Sequence, residues 1–121
     1  MNLSLDTNAY TALMRGHDEA IAHIRRAHTV SISAVVVGEL LYGFFHGTQR
    51  AANQKQLDSF LAEPYVSFLP VRKPTCERFG MIASHLRKVG TPIPQNDIWI
   101  AAHALESGTN LLSSDHHFQH I

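Results

Sequence analysis

Two short apolar runs near the two ends of the chain each stop on an aspartate, and this repeated device constrains the fold more than any other feature. Leu3 and Leu5 supply a short strand that hands over to Asp6, followed by Thr7 and Asn8. Leu111 and Leu112 do the same for Ser113, Ser114 and Asp115. Between them, strand-like segments at 29–32 and 65–71 alternate with helical patterns. Strands that alternate with helices through short connectors build a parallel or mostly parallel sheet covered on both faces, and right-handed crossovers bring the strand ends to one rim. The expected class is therefore α/β, in three layers, with a mostly parallel central sheet. In such a sheet ligands bind outside the carboxyl ends of the strands, where Asp6 and Asp115 can meet.

The helical segments carry their own punctuation. Residues 8–15 run through Ala9, Tyr10, Ala12, Leu13 and Met14 to a stop at Gly16. A second short helix opens on Asp18 and Glu19 and closes on Arg25 and Arg26, the charge order that the helix dipole favours. Ser33 suits the N-cap of the least polar helix, AVVVGELLYGFF at 34–45, whose single charge is Glu39. Residues 48–62 read as a scaffold helix with Ala51, Gln54, Leu57 or Asp58, and Leu61 at turn spacing. Pro74 fits the first turn of a helix running through Phe79, Met81, Ile82 and Leu86 to Gly90. Prolines at 92 and 94 keep the next connector extended, and Asn96 and Asp97 open an almost wholly apolar helix that ends at Gly108.

Each acid in this pattern has a plain structural explanation. Asp6 or Thr7 can cap the helix that follows. Asp97, in a first turn, gains up to about 1 kcal/mol from the helix dipole. Glu39 can lie on a narrow solvent stripe with Tyr42, Gly43 and His46. Taken together these explanations weaken, because Glu39 has no basic neighbour at helical spacing and Asp97 lines up with Ile100, Ala101 and Ala104 on a face that should be buried. Four carboxylates drawn together stay ionised only with something positive between them. Oxygen ligands select hard ions, so Mg²⁺ or Mn²⁺ is expected rather than zinc. Carboxylate-held ions of that kind serve phosphoryl chemistry.

Composition sets limits on partners and compartment. The 121 residues, 45% of them hydrophobic, suit one domain spanning 1–121. A formal net charge of zero leaves no global positive field, so any nucleic acid must be held by local groups such as Arg15, Arg25 with Arg26, Arg50, Arg72 with Lys73, or Arg87 with Lys88. The single Cys76 allows no intrachain disulfide, no apolar run approaches a membrane span, and the N-terminus carries no signal-peptide pattern. A cytoplasmic protein without membrane contact is expected. His116, His117 and His120 read as an exposed tail.

The same residues resemble the PIN-domain family, and within it the VapC toxins of prokaryotic toxin–antitoxin pairs. The match is carried by LDTN at 5–8, ISAVVVGELLYG at 32–43, GTPIPQNDIWIAAHAL at 90–105 and LLSSDHHF at 111–118, in that order along almost the whole sequence. The resemblance implies a PIN-like α/β/α fold and a Mg²⁺-dependent endoribonuclease, with Mn²⁺ able to substitute. It also implies a homodimer, inhibited by a cognate antitoxin that occludes or disrupts the acidic site. Asp6, Glu39 and Asp97 match the acidic triad of the family and Asp115 its more variable fourth acid. Thr7 and Ser113 match the small hydroxyl residues that order the carboxylates or metal-bound water. The family usually continues past the HF pair into a further short strand, whereas this sequence stops at Ile121, so Asp115 and the dimer contacts are expected to be less firmly held. Two alternatives stand beside the ribonuclease: a catalytically degenerate PIN-fold binding module, and a phospho-acceptor receiver domain. The receiver domain is disfavoured because Asp6 lacks an acidic neighbour and no lysine follows Lys88.

Overall fold

The computed structural model describes residues 1–113, so Asp115 and the histidines after it lie outside the described residues. Among the described residues four strands, β1 (Asn2–Leu5), β2 (Thr29–Ser33), β3 (Val66–Leu69) and β4 (Asn110–Leu112), form one sheet in the order β3-β2-β1-β4. Every pairing is parallel, as the alternation of strands with helices requires. The chain first builds outward from β1 through β2 to β3, then returns to the other side of β1 with β4. The strand order therefore reverses between β1 and β4, which opens a crevice outside their carboxyl ends.

Register sorts the strand residues into two kinds of row. Leu5, Ile32, Phe68 and Leu112 lie side by side, and Ser4, Ser31, Ser67 and Leu111 form the adjacent row, which points to the other face. Leu5, Val30 and Ile32 are buried with Tyr10 of α1 (Thr7–Met14), Val36 and Leu40 of α3 (Ala34–His46), and Leu57 and Phe60 of α4 (Arg50–Leu61). A second cluster joins Ile82 and Leu86 of α5 (Lys73–Val89) to Ile98, Ala101 and Ala102 of α6 (Gln95–Ser107). The Thr109 hydroxyl, just beyond α6, donates to the buried Ser4 hydroxyl at 2.9 Å, tying the end of that helix pair to the sheet. The remaining helix among the described residues is α2 (Asp18–Arg26), which opens on two acids and closes on two arginines. Gly90 and Gly108 end α5 and α6 at φ values of 70° and 67°, left-handed positions that a side chain resists.

Two local expectations need correction. The helix read over 48–62 begins at Arg50, and its buried side is Leu57 with Phe60, while Ala51 and Asp58 face solvent. Alanine and glutamine do not discriminate between faces, so turn spacing alone chose a line one position away from Phe60. The strand read over 65–71 shortens to β3, at the sheet edge, where Tyr65, Phe68 and Val71 are exposed. An apolar alternation marks a strand, but it does not show that both of its faces are covered. No helix among the described residues is long and apolar enough to cross a membrane.

Candidate active site

Asp6 is the first residue beyond β1, and it does two things at once. Its extended backbone (φ −84°, ψ 178°) makes it the N-cap of α1, with Oδ1 accepting from the Ala9 amide at 2.7 Å. Oδ2 accepts from the hydroxyl of Ser113, the residue that follows β4. Both oxygens are thus oriented, and Asp6 is only 4% exposed. The capping residue is Asp6 rather than Thr7. That leaves the Thr7 hydroxyl available for a different partner.

That partner is Glu39. The Thr7 hydroxyl donates to Glu39 Oε1 at 2.6 Å across a separation of 32 residues. The Asn96 side-chain amide donates to Glu39 Oε2 at 3.3 Å. Glu39 sits one turn into α3, which is started by the Ser33 hydroxyl accepting from the Val36 amide at 3.3 Å. Asp97 follows Asn96 in the first turn of α6, half-buried, and its amide donates to the Pro94 carbonyl at 3.1 Å. Ile100, Ala101 and Ala104, on the same side of α6, are buried.

Segments from both ends and the middle of the chain therefore meet at the β1/β4 crevice. Ser113 is bonded to Asp6, Thr7 follows Asp6 and is bonded to Glu39, and Glu39 is bonded to Asn96, which precedes Asp97. Asp115 lies outside the described residues. Among those residues, no three His, Cys, Asp or Glu side chains already stand around a common point as ion ligands. The donor chemistry nevertheless suits a hard cation, because the acids, hydroxyls and amide gathered here offer oxygen. The sequence alone does not mark Asn96. Its only signal was its place beside Asp97, and its contact with a residue 57 positions away leaves no local pattern. Beside Ser113, a cavity of about 280 Å³ opens between α1 and α2, lined by Asn8, His17, Glu19 and His23 among others.

The family model described as PIN domain matches residues 3–121. The sequence is 32% identical over 113 residues to Ribonuclease VapC1 of Haemophilus influenzae (strain R2866), covering 90% of this chain and 83% of that protein. Among solved structures, the fold is similar to VapBC2 from Rickettsia felis bound to a DNA fragment from their promoter, with a TM-score of 0.87 and 26% identity over 100% of this chain and 93% of that one. It is also similar to VapBC-1 from nontypeable Haemophilus influenzae, with a TM-score of 0.86 and 28% identity over 99% and 92% of the two chains.

Proposed function

The chain belongs to the PIN-domain family, and from that premise we propose that it is a VapC-type endoribonuclease toxin that hydrolyses RNA phosphodiester bonds with Mg²⁺, or Mn²⁺ in its place. The observation that carries the proposal is the hydrogen-bonded series Ser113–Asp6 and Thr7–Glu39–Asn96, which gathers acids from distant segments at the point where the strand order reverses. A shared hard cation explains why the chain gathers carboxylates there.

In this proposal Asp6, Glu39 and Asp97 hold the ion, with Asp115 as the fourth acid. A bound divalent ion supplies positive charge for the phosphodiester oxygens and makes water a better nucleophile at neutral pH. The protein supplies placement. Ser113 and the Ala9 amide fix the rotation of the Asp6 carboxylate, while Thr7 and Asn96 fix that of Glu39. Carboxylates oriented before substrate arrives need little reorganisation during the reaction, which is the source of electrostatic preorganisation. No protein nucleophile is required.

Relatives solved as VapBC pairs support a cognate antitoxin as the protein partner, and a homodimer belongs to the same proposal. The decisive experiment is RNA cleavage by Asp97→Asn at saturating Mg²⁺. Activity is expected to fall about 100-fold or more, since removing a ligand of the ion withdraws several kcal/mol of charge stabilisation. Wild-type rates in that variant would overturn the assignment. A second readout needs no substrate: Mn²⁺ at a hundredfold excess over its Kd should stabilise the wild-type fold by about 2.7 kcal/mol, and Asp97→Asn should lose most of that shift.

A further inference from the structure

The outer face of α3 continues from Glu39 along a stripe of residues that the acid site does not use. Gly38, Tyr42, Gly43, Phe45 and His46 are all exposed, and Glu39, Tyr42, Gly43 and His46 share one side of the helix by turn spacing. Tyr42 is 69% exposed and Phe45 58%. The Tyr42 and His46 rings lie 4.5 Å apart at 45°, and the Arg50 guanidinium carbon sits 3.7 Å from the Phe45 ring centre. Gly38 and Gly43 are inside the helix, where glycine is disfavoured relative to alanine. A Cβ at either would meet nothing within 4 Å, so no packing among the described residues requires them.

Two costly glycines under open space, flanked by exposed rings and a cation, describe a surface shaped for something that comes close to the helix. We propose that this face of α3 is a stacking platform for the unpaired bases of the RNA that flank the scissile phosphate. Tyr42 and His46 stack the bases, Gly43 lets the strand approach the helix backbone, and Arg50 meets a phosphate. The inference rests on the ribonuclease reading, because it takes the occupant of the platform to be the strand that passes Glu39. Single-stranded RNA fits better than a protein segment. Every base offers a π-face to an exposed ring, and a guanidinium beside a ring keeps N–H donors at its edge for phosphate. On the ribonuclease reading the platform also supplies RNA affinity to a chain with no net charge, since stacking provides what a global positive field does not.

The test uses full-length protein and an unstructured RNA oligonucleotide that the wild type cleaves. Tyr42→Ala should raise KM about tenfold with kcat nearly unchanged, which is about 1.4 kcal/mol and within the range for losing one stacked base. Tyr42→Trp should restore KM and show indole quenching when oligonucleotide is added without divalent ion. Gly43→Ala gives the sharper result. It should raise Tm by about 4 °C through helix propensity and yet raise KM, a combination that a purely structural glycine cannot produce. Unchanged KM in Tyr42→Ala and Gly43→Ala, alongside wild-type cleavage, overturns the platform. A KM change that follows dissociation of a dimer, seen by sedimentation, also overturns it and assigns the face to self-association. If the wild type binds but does not cleave RNA, and Tyr42→Ala loses that binding, the nuclease reading fails and the platform stands. If the wild type neither binds nor cleaves, both fail.

Discussion

At the scale of single residues, Asp6 shows how one side chain serves folding and chemistry together. Its Oδ1 caps α1 through the Ala9 amide and its Oδ2 takes the Ser113 hydroxyl, so neither role excludes the other. The two roles separate by substitution. Asparagine caps a helix about as well as aspartate, whereas alanine does not. Asp6→Asn is therefore expected to keep wild-type stability in urea melts and lose RNA cleavage, while Asp6→Ala should lose cleavage and about 1 kcal/mol of stability as well. Equal stability in the two variants would show that the cap contributes nothing. Tyr10 is a simpler case nearby. Its hydroxyl is buried without a hydrogen-bond partner among the described residues, and burial pushes its pKa up to about 12. Its ring contributes through packing, edge-on to Phe60 at 5.4 Å.

At the scale of elements, α6 carries Asp97 at its start and is held at its end by a separate latch. The buried Thr75 hydroxyl donates to Glu106, and its oxygen accepts from the Arg72 amide at 3.0 Å. The Arg72 guanidinium also meets Glu106, with Nε at 3.1 Å. The Thr75 hydroxyl is the main reason that the Glu106 carboxyl lies below its usual range; burial works against it and Arg72 adds to it. Thr75→Val keeps the shape but removes the hydroxyl that serves both one Glu106 oxygen and the Arg72 amide, so it should cost about 1–2 kcal/mol in urea unfolding. Arg72→Gln should cost less, because the arginine is 62% exposed and exposed ion pairs contribute little. The reverse order would mean that the ion pair, not the threonine, holds the helix. Much of this scale was legible in the sequence. Gly90 and Gly108 marked their helix ends, Ser33 its cap, and Asp6 its strand end, because each signal is local. What was not legible depends on distant partners. Examples are the Asn96 amide on Glu39, the Thr75–Glu106 latch, and the choice of Leu57 and Phe60 over Ala51 and Asp58 as the buried side of α4.

At the scale of the whole molecule, the buried His103 links folding to pH. It lies 2% exposed on α6, neither ring nitrogen has a partner among the described residues, and burial lowers its pKa, with the Glu106 charge offsetting part of the shift. The folded state therefore binds fewer protons than the unfolded state, and stability must rise with pH wherever the two differ. For His103 the window opens just below the unfolded value of 6.5 and extends down to the folded value. Glu106, also lowered, adds a loss in the same direction only below its unfolded value of 4.5. Acidification from pH 7.5 to 5.5 should thus lower the unfolding free energy through His103 alone of these two groups, by at most about 1.4 kcal/mol per pH unit, and Tm with it. His103→Leu fills the same buried position without a titrating ring and should flatten that part of the Tm profile while leaving the acid limb below pH 4.5 in place. A variant profile that still falls as steeply between pH 7.5 and 5.5 would place the acid sensitivity on groups other than His103.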